Sequence, residues 1–279
     1  MSFIINPYQF GTTINLNTIT GAKMGYGFRL LNAVYSGPLV KLRRASDNAT
    51  SDFYPTSGLG TPVDWAAIDT WAGGACYIDT WYDQSGNAYH IANTTLADQP
   101  LLSTGSGLAN TRTVYFDGLG DNLWHDTLGS TAFCGSQFML FIAMKPISTA
   151  FTTIGIIAAS PTTSTTAHFR LNLYLNNARL YWTAALATDV TYAVNTAQQV
   201  YCYWDGANAG FDIDNGTDSA SVAIASSNDE GSFVMGCSTN TGTHPWEGHI
   251  AEWIWIDAAP SNTTRDFIRN NQNTKFVLY

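Results

Sequence analysis

Phe169-Arg170-Leu171-Asn172-Leu173-Tyr174-Leu175-Asn176-Asn177-Ala178-Arg179-Leu180-Tyr181-Trp182 reads as two strands about one turn. Phe169, Leu171, Leu173 and Leu175 alternate with Arg170, Asn172 and Tyr174. That period of two sends successive side chains to opposite faces of a sheet. Asn176-Asn177 tolerates the backbone of a tight turn, so residues 179–182 return as the second arm of a hairpin.

The same grammar extends in both directions. Val200, Cys202 and Trp204 face one way and Tyr201 and Tyr203 the other, before the turn pair Asp205-Gly206. Residues 138–144 form an unbroken apolar run, as expected of a strand covered on both faces. Residues 113–116 stop at Asp117-Gly118, and 211–213, 233–235 and 249–256 complete the series. Strands at this spacing predict an all-β fold, a two-sheet antiparallel sandwich of jelly-roll type with a few short helices. Three helical segments are expected. One spans 23–35, where Tyr26, Leu30, Leu31 and Val34 recur at steps of three and four, closed by Ser36-Gly37-Pro38. A second starts at Thr61-Pro62-Val63-Asp64 with Thr61 as N-cap, carries Trp65, Ile68 and Ala72 on one face, and ends at Gly73-Gly74. A closing turn follows a cap at Ser261/Asn262. Residues 39–44 read as a strand with an outward basic edge formed by Lys41, Arg43 and Arg44.

Charged residues are only 12% of the 279, so Thr, Asn, Ser and Gly must cover much of the surface. The net charge is −9, the wrong sign for attraction to phosphates, and nucleic-acid binding is excluded. No stretch approaches the ~20 apolar residues of a membrane span. Cys76, Cys134, Cys202 and Cys237 form no Cys-x-x-Cys pair, and Cys202, inside an apolar strand, reads as a buried free thiol. Met1-Ser2-Phe3-Ile4-Ile5-Asn6-Pro7 has neither a basic region nor a long apolar run, so the expectation is a chain made in a cytoplasm without a leader. Residues 1–20 read as an N-terminal arm and 21–279 as one sandwich domain.

Residues 77–90, Tyr-Ile-Asp-Thr-Trp-Tyr-Asp-Gln-Ser-Gly-Asn-Ala-Tyr-His, begin as an aromatic strand and stop in a polar turn. Such a stretch serves equally to present a carbohydrate site or to end a strand. The carbohydrate-binding candidates are Trp81, Asp83, Gln84, Asn87, Tyr89 and His90, joined by Trp246 and Glu247 beside His249. Aromatic faces would stack on sugar rings while the amides and acids bond hydroxyls. Glu252 falls on a strand face with Ile250, Ile254 and Ile256, where a carboxylate must be paired; it reads as a ligand-facing acid or as a structural one bonded to backbone or an arginine. Asp117, Asp121 and Asp126, or Asp212, Asp214 and Asp218, could collect oxygens for calcium. Neither run has the spacing of a dedicated calcium loop, so no metal or other cofactor is assigned.

Residues 35–39, 43–52 (Arg-Arg-Ala-Ser-Asp-Asn-Ala-Thr-Ser-Asp) and 81–87 (Trp-Tyr-Asp-Gln-Ser-Gly-Asn) occur in an order that resembles the N-terminal part of arabinofuranosidase B-type glycoside hydrolases and related phage and bacterial surface proteins. Residues 114–121, 204–206, 214–216 and 248–256 look like a concanavalin A-like, laminin-G-type sandwich. The opening 5–10 is similar to that of tailed-phage structural proteins. The hydrolase likeness implies a nucleophile in a Cys-Cys-Phe-Asp-Tyr-Gly-Asn-Ala-Glu type of stretch. The chain has no counterpart, and its glutamates are Glu230, Glu247 and Glu252. The resemblance together with this departure leads to an expected non-enzymatic virion protein on a phage tail, fibre or capsid. It would attach to other virion proteins through its arm, adhere to host-surface glycan and form a homo-oligomer. An arabinofuranosidase-type hydrolase and a purely architectural decoration protein are the alternatives.

Overall fold

The computed structural model describes residues 13–105, 108–109, 111–126, 137–147, 155–160, 169–174, 177–182, 185–214, 216, 222–223, 232–239 and 241–279. Its strands in chain order are β1 (Ala22–Gly27), β2 (Val40–Arg44), β3 (Thr50–Phe53), β4 (Cys76–Trp81), β5 (Ile91–Ala92), β6 (Leu101–Ser103), β7 (Thr113–Asp117), β8 (Leu123–His125) and β9 (Phe138–Pro146). They continue as β10 (Gly155–Ser160), β11 (Phe169–Tyr174), β12 (Asn177–Trp182), β13 (Ala185–Thr191), β14 (Gln198–Trp204), β15 (Asn208–Ile213), β16 (Val222–Ala223), β17 (Phe233–Met235) and β18 (Glu247–Ile256). Two α-helices are present among these residues, α1 (Trp65–Ala72) and α2 (Asn262–Phe276).

All pairings between the strands are antiparallel, and they form two curled ladders. One runs β3-β2-β4-β6-β7-β18-β9-β14-β15-β16. The other runs β5-β8-β17-β10-β11-β12-β13. They join where Thr80 and Trp81 of β4 pair with Ala92 and Ile91 of β5. β18 is the hinge of the first ladder: β9 lines one edge, while β7 and then β1 share the other. The core between the layers holds Phe169, Leu171 and Leu173 of β11, Val200, Cys202 and Trp204 of β14, and Trp253 and Trp255 of β18. Phe138 stacks on Trp255 with ring centroids 4.4 Å apart. Tyr201 belongs to a second apolar cluster under α2, with Phe141, Ile254 and Ile268. The all-β expectation and its alternation at 169–173 and 200–204 therefore hold. Leu175 and Asn176 lie outside the described residues.

Four local expectations need correction. Residues 22–27 are a strand, and 28–35 hold no helix. Gly25 and Gly27 weaken a helix, and both sit where side chains of other segments pack against the backbone: a Cβ at Gly25 would lie 2.3 Å from Leu16 Cδ1. Val34, placed on the apolar face, is 68% exposed. The N-cap of α1 is Asp64, whose carboxylate accepts from Ala67 N, and Pro62 instead bridges Arg29. Gly73 closes that helix in the left-handed conformation. Arg43 is not an outward charge. It is buried, donating to Gln99, Asn48 and the Leu96 carbonyl. Finally, the register of β18 shifts between Ile250 and Glu252. This bulge separates Ile250, in the main core, from Ile254 and Ile256, under α2.

The bulge turns Glu252 onto Arg29. Arg29 Nε and Nη2 donate to its two oxygens at 2.6 and 2.9 Å, and Gln272 of α2 donates to Oε1. Glu252 is fully buried and Arg29 is 5% exposed, so removing one partner leaves the other buried without its counter-charge. We expect Glu252→Ala to lower the unfolding free energy by about 3–5 kcal/mol, and Arg29→Met/Glu252→Met together to cost clearly less, as read by urea denaturation.

Candidate functional site

The 83–90 loop is built around two buried polar side chains. The Asp83 carboxylate accepts from Gly25 N (2.9 Å), Ser85 N (2.9 Å), Ser85 Oγ (2.7 Å) and Tyr89 N (3.1 Å). Gln84 accepts from Leu31 N at 2.8 Å and donates to the carbonyls of Gly27 and Arg29 at 3.0 and 3.1 Å. Both are fully buried. They bond the backbone of residues 25–31 at Gly25 N, Gly27 O, Arg29 O and Leu31 N. Trp81, also fully buried, stacks on Phe28 at 5.3 Å. Trp246 is likewise sealed, against Phe116. As surface contacts for a glycan, Trp81, Asp83, Gln84 and Trp246 are therefore corrected: they hold the fold.

The remaining candidates do reach the surface. Asn87 is exposed, although its amide donates to the Lys23 carbonyl at 2.9 Å. Tyr89 is half-buried between the Lys23 ammonium, 5.6 Å from its ring, and the edge of His125. His90 Nδ1 accepts from Asp83 N at 3.0 Å, and its ring meets Tyr82 edge-on. Burial lowers the pKa of both His90 and His125.

Glu247 belongs to a different constellation, one the sequence did not single out. It stands directly across from Asp117 in the β7–β18 pairing, where opposed Cβ atoms lie about 4.5–5.5 Å apart. Tyr115 OH donates to Glu247 Oε1 at 3.2 Å. That carboxylate and, above all, burial push the Tyr115 phenol up to about 12. The turn after β7 folds back so that Asp117 N donates to Asp121 Oδ2 at 3.1 Å. A positive φ at Gly118 makes this possible, and a Cβ there would lie 3.0 Å from Glu247 Cβ. Asp121 is 7% exposed, and its Oδ1 has no partner among the described residues. Burial, then the Asp117 charge and more weakly that of Asp98, raise its carboxyl to about 7. So one turn gathers a carboxyl group that holds its proton near neutrality and two further carboxylates. His249, next to Tyr115, is kept neutral by burial, with its pKa lowered to about 4, and bonds Thr113 Oγ1 at 2.9 Å.

Among the described residues, no three His, Cys, Asp or Glu side chains converge on a metal position. Asp212 is engaged by Arg269 at 2.7 Å, Asp214 accepts from Gln199 N at 2.7 Å, and Asp218 lies outside the described residues. Cys76, Cys202 and Cys237 are free and buried, and burial raises the Cys76 thiol to about 11. None of the helices described is long and apolar enough to cross a membrane.

Residues 23–114, about a third of the chain, match the family described as "Alpha-L-arabinofuranosidase B, catalytic". A probable α-L-arabinofuranosidase B of Aspergillus fumigatus is 44% identical over 64 residues, which are 23% of this chain and 12% of the relative. Over 65 residues, an α-L-arabinofuranosidase B of Penicillium canescens is 40% identical, covering 23% of this chain and 14% of that protein. The chain thus spans only a small part of the length of these curated relatives. A glutamate-to-glutamine mutant of a GH54 α-L-arabinofuranosidase soaked with 4-nitrophenyl α-L-arabinofuranoside superposes with a TM-score of 0.72 at 16% identity, over 91% of this chain and 63% of that one. A Trypanosoma rangeli sialidase does so at 0.51 and 13%, over 71% and 31%. The sandwich is the fold of the arabinofuranosidase structure.

These likenesses overturn the expected function. The relatives and structures reported above are named as glycosidases and none as a virion component. The non-enzymatic reading, the virion location, the virion partners and the host-adhesion role all give way. The 35–52 and 81–87 stretches carried the right likeness, and the phage-like opening at 5–10 carried the wrong one.

The Asp121 proton has a thermodynamic signature. Its ordinary value is 3.8 and its folded value about 7. Between those values the native state holds a proton that the unfolded chain has released, so this group's contribution to stability declines as pH rises through that window. Asp121→Asn abolishes the decline and can still accept from Asp117 N. In urea titrations, the variant should match the parent near pH 4 and exceed it near pH 8; an equal offset at both would contradict the assignment.

Proposed function

We propose that this chain is a glycoside hydrolase of arabinofuranosidase type, releasing an arabinofuranosyl unit from a glycan. The observation that carries the reading is that residues matching the arabinofuranosidase B catalytic family lie within a sandwich that follows a GH54 arabinofuranosidase over 91% of this chain. Residues 21–279 would act as one domain, with 1–20 as its lead-in.

Glycoside cleavage in most families needs a protonated acid for the leaving oxygen and a second carboxylate at the sugar carbon, about 5–5.5 Å apart when configuration is retained. Asp121 fits the first role, since a pKa of about 7 keeps its proton available near neutrality. Glu247 fits the second. Its Oε2 has no partner among the described residues, and the Tyr115 hydroxyl fixes Oε1. Asp117, between them, raises Asp121 by its charge. Asn87, Tyr89 and His90 remain candidates for sugar contacts at the 83–90 loop. Asp83 does not enter the chemistry, because its carboxylate is fully buried and bonded.

The test is hydrolysis of 4-nitrophenyl α-L-arabinofuranoside by the full chain. Turnover is expected, with Glu247→Gln lowering kcat/KM about a thousandfold. Because Asp121 must be protonated, the rate should fall above about pH 7, and Asp121→Asn should remove that alkaline limb. Asp214, the other carboxyl group that burial raises among the described residues, is tested alongside as Asp214→Asn. No release above buffer contradicts the function, whereas loss confined to Asp214→Asn keeps the function and moves its chemistry to the end of β15.

A further inference from the structure

A cavity of about 140 Å³ is lined by Phe28, Arg29, Pro62, Trp65, Phe276 and Lys275, together with Thr111 and Ala251. Three aromatic rings and a proline form its walls. Phe28 and Trp65 are tilted at 51° with centroids 5.6 Å apart, and the Arg29 guanidinium lies 5.7 Å from the Phe276 ring.

Its polar groups are of one sign. Arg29, 5% exposed, spends Nε and Nη2 on Glu252. Its third nitrogen, Nη1, has no hydrogen-bond partner among the described residues. Lys275 is exposed at the last turn of α2 and has no carboxylate within ion-pair distance among the described residues. No acidic side chain lines the space. The Glu252 charge sits behind the guanidinium and offsets it, so the net positive charge at the opening comes from Lys275.

We propose that this cavity binds a small planar carboxylate, one ring in size. A cavity of about 150 Å³ with apolar walls holds one benzene ring, so the volume suits a single six-membered ring. The walls offer aromatic carbon for apolar contact with a ring, and Arg29 Nη1 and Lys275 offer two donors to a carboxylate. A neutral sugar does not fit this chemistry, because its many hydroxyl groups would meet aromatic carbon with Thr111 as the one hydroxyl partner in the lining. The site is formed by residues outside the Asp117–Asp121–Glu247 group and does not depend on the reaction proposed for it.

Titration of the full-length chain with benzoate, followed by calorimetry and by NMR chemical shifts, tests this. One saturable site with Kd on the order of 1–10 mM is expected for a ligand of this size. Benzyl alcohol, with the same ring and no charge, should bind about tenfold more weakly. Lys275→Gln, an exposed change that leaves the core intact, should weaken benzoate severalfold and leave benzyl alcohol unchanged. Absence of saturation by about 50 mM benzoate, equal binding of the two ligands, or indifference of benzoate to Lys275→Gln would each overturn the proposal.

Discussion

The carboxylate of Glu252 is the point to which the rest of the molecule is tied. It lies fully buried in the longest strand, held by Arg29 from the segment after β1 and by Gln272 from the closing helix. A charge in that position has a large desolvation cost that only close, fully bonded partners offset. The bulge in β18 exists in the service of that geometry. It lets one strand pack Trp253 and Trp255 into the main core while Glu252 meets Arg29. A second polar anchor, Asp83 with Gln84, binds the backbone of residues 25–31 from beneath. The first ties the segment after β1 to β18, 223 residues further on, and the second ties β1 and that segment to the loop after β4.

That frame fixes where chemistry can occur. Because β7 and β18 are in register, Asp117 and Glu247 are forced to face each other. The tight turn at Gly118 then brings Asp121 back beneath Asp117. The proton on Asp121 follows from this crowding: a poorly hydrated carboxyl group beside another negative charge gives up its proton late. The arrangement concentrates three acids at one turn, whereas no acidic side chain lines the cavity walled by Phe28, Trp65 and Phe276.

Much of the architecture was legible because a strand's two faces repeat every second residue. Phe169, Leu171 and Leu173 announce the hairpin, the apolar run at 138–144 announces a strand covered on both sides, and Val200, Cys202 and Trp204 announce a core face. The helix expected over 23–35 failed because spacing at three and four says nothing of Gly25, whose missing side chain lets Leu16 approach. Bulges are equally invisible, so Ile250 and Glu252 were placed on one face. For the site, likeness at 35–52 and 81–87 pointed to the family matched over 23–114. The polar-turn reading of 77–90 misled over individual residues: Asp83 and Gln84 look like surface ligands in sequence but satisfy backbone groups more than fifty residues away. Asp121 was missed as an acid because its raised pKa comes from burial and from Asp117 and Asp98, and burial has no local sequence signature.

The most direct trial of the account is to identify the nucleophile chemically. An arabinofuranose-configured cyclic sulfate, which a carboxylate opens to form a stable ester, is incubated with the full chain, and the digested product is read by mass spectrometry. The account predicts one ester per chain, carried on the peptide containing Glu247 and absent from Glu247→Gln. An unmodified chain, or an ester on any other carboxylate, would contradict it.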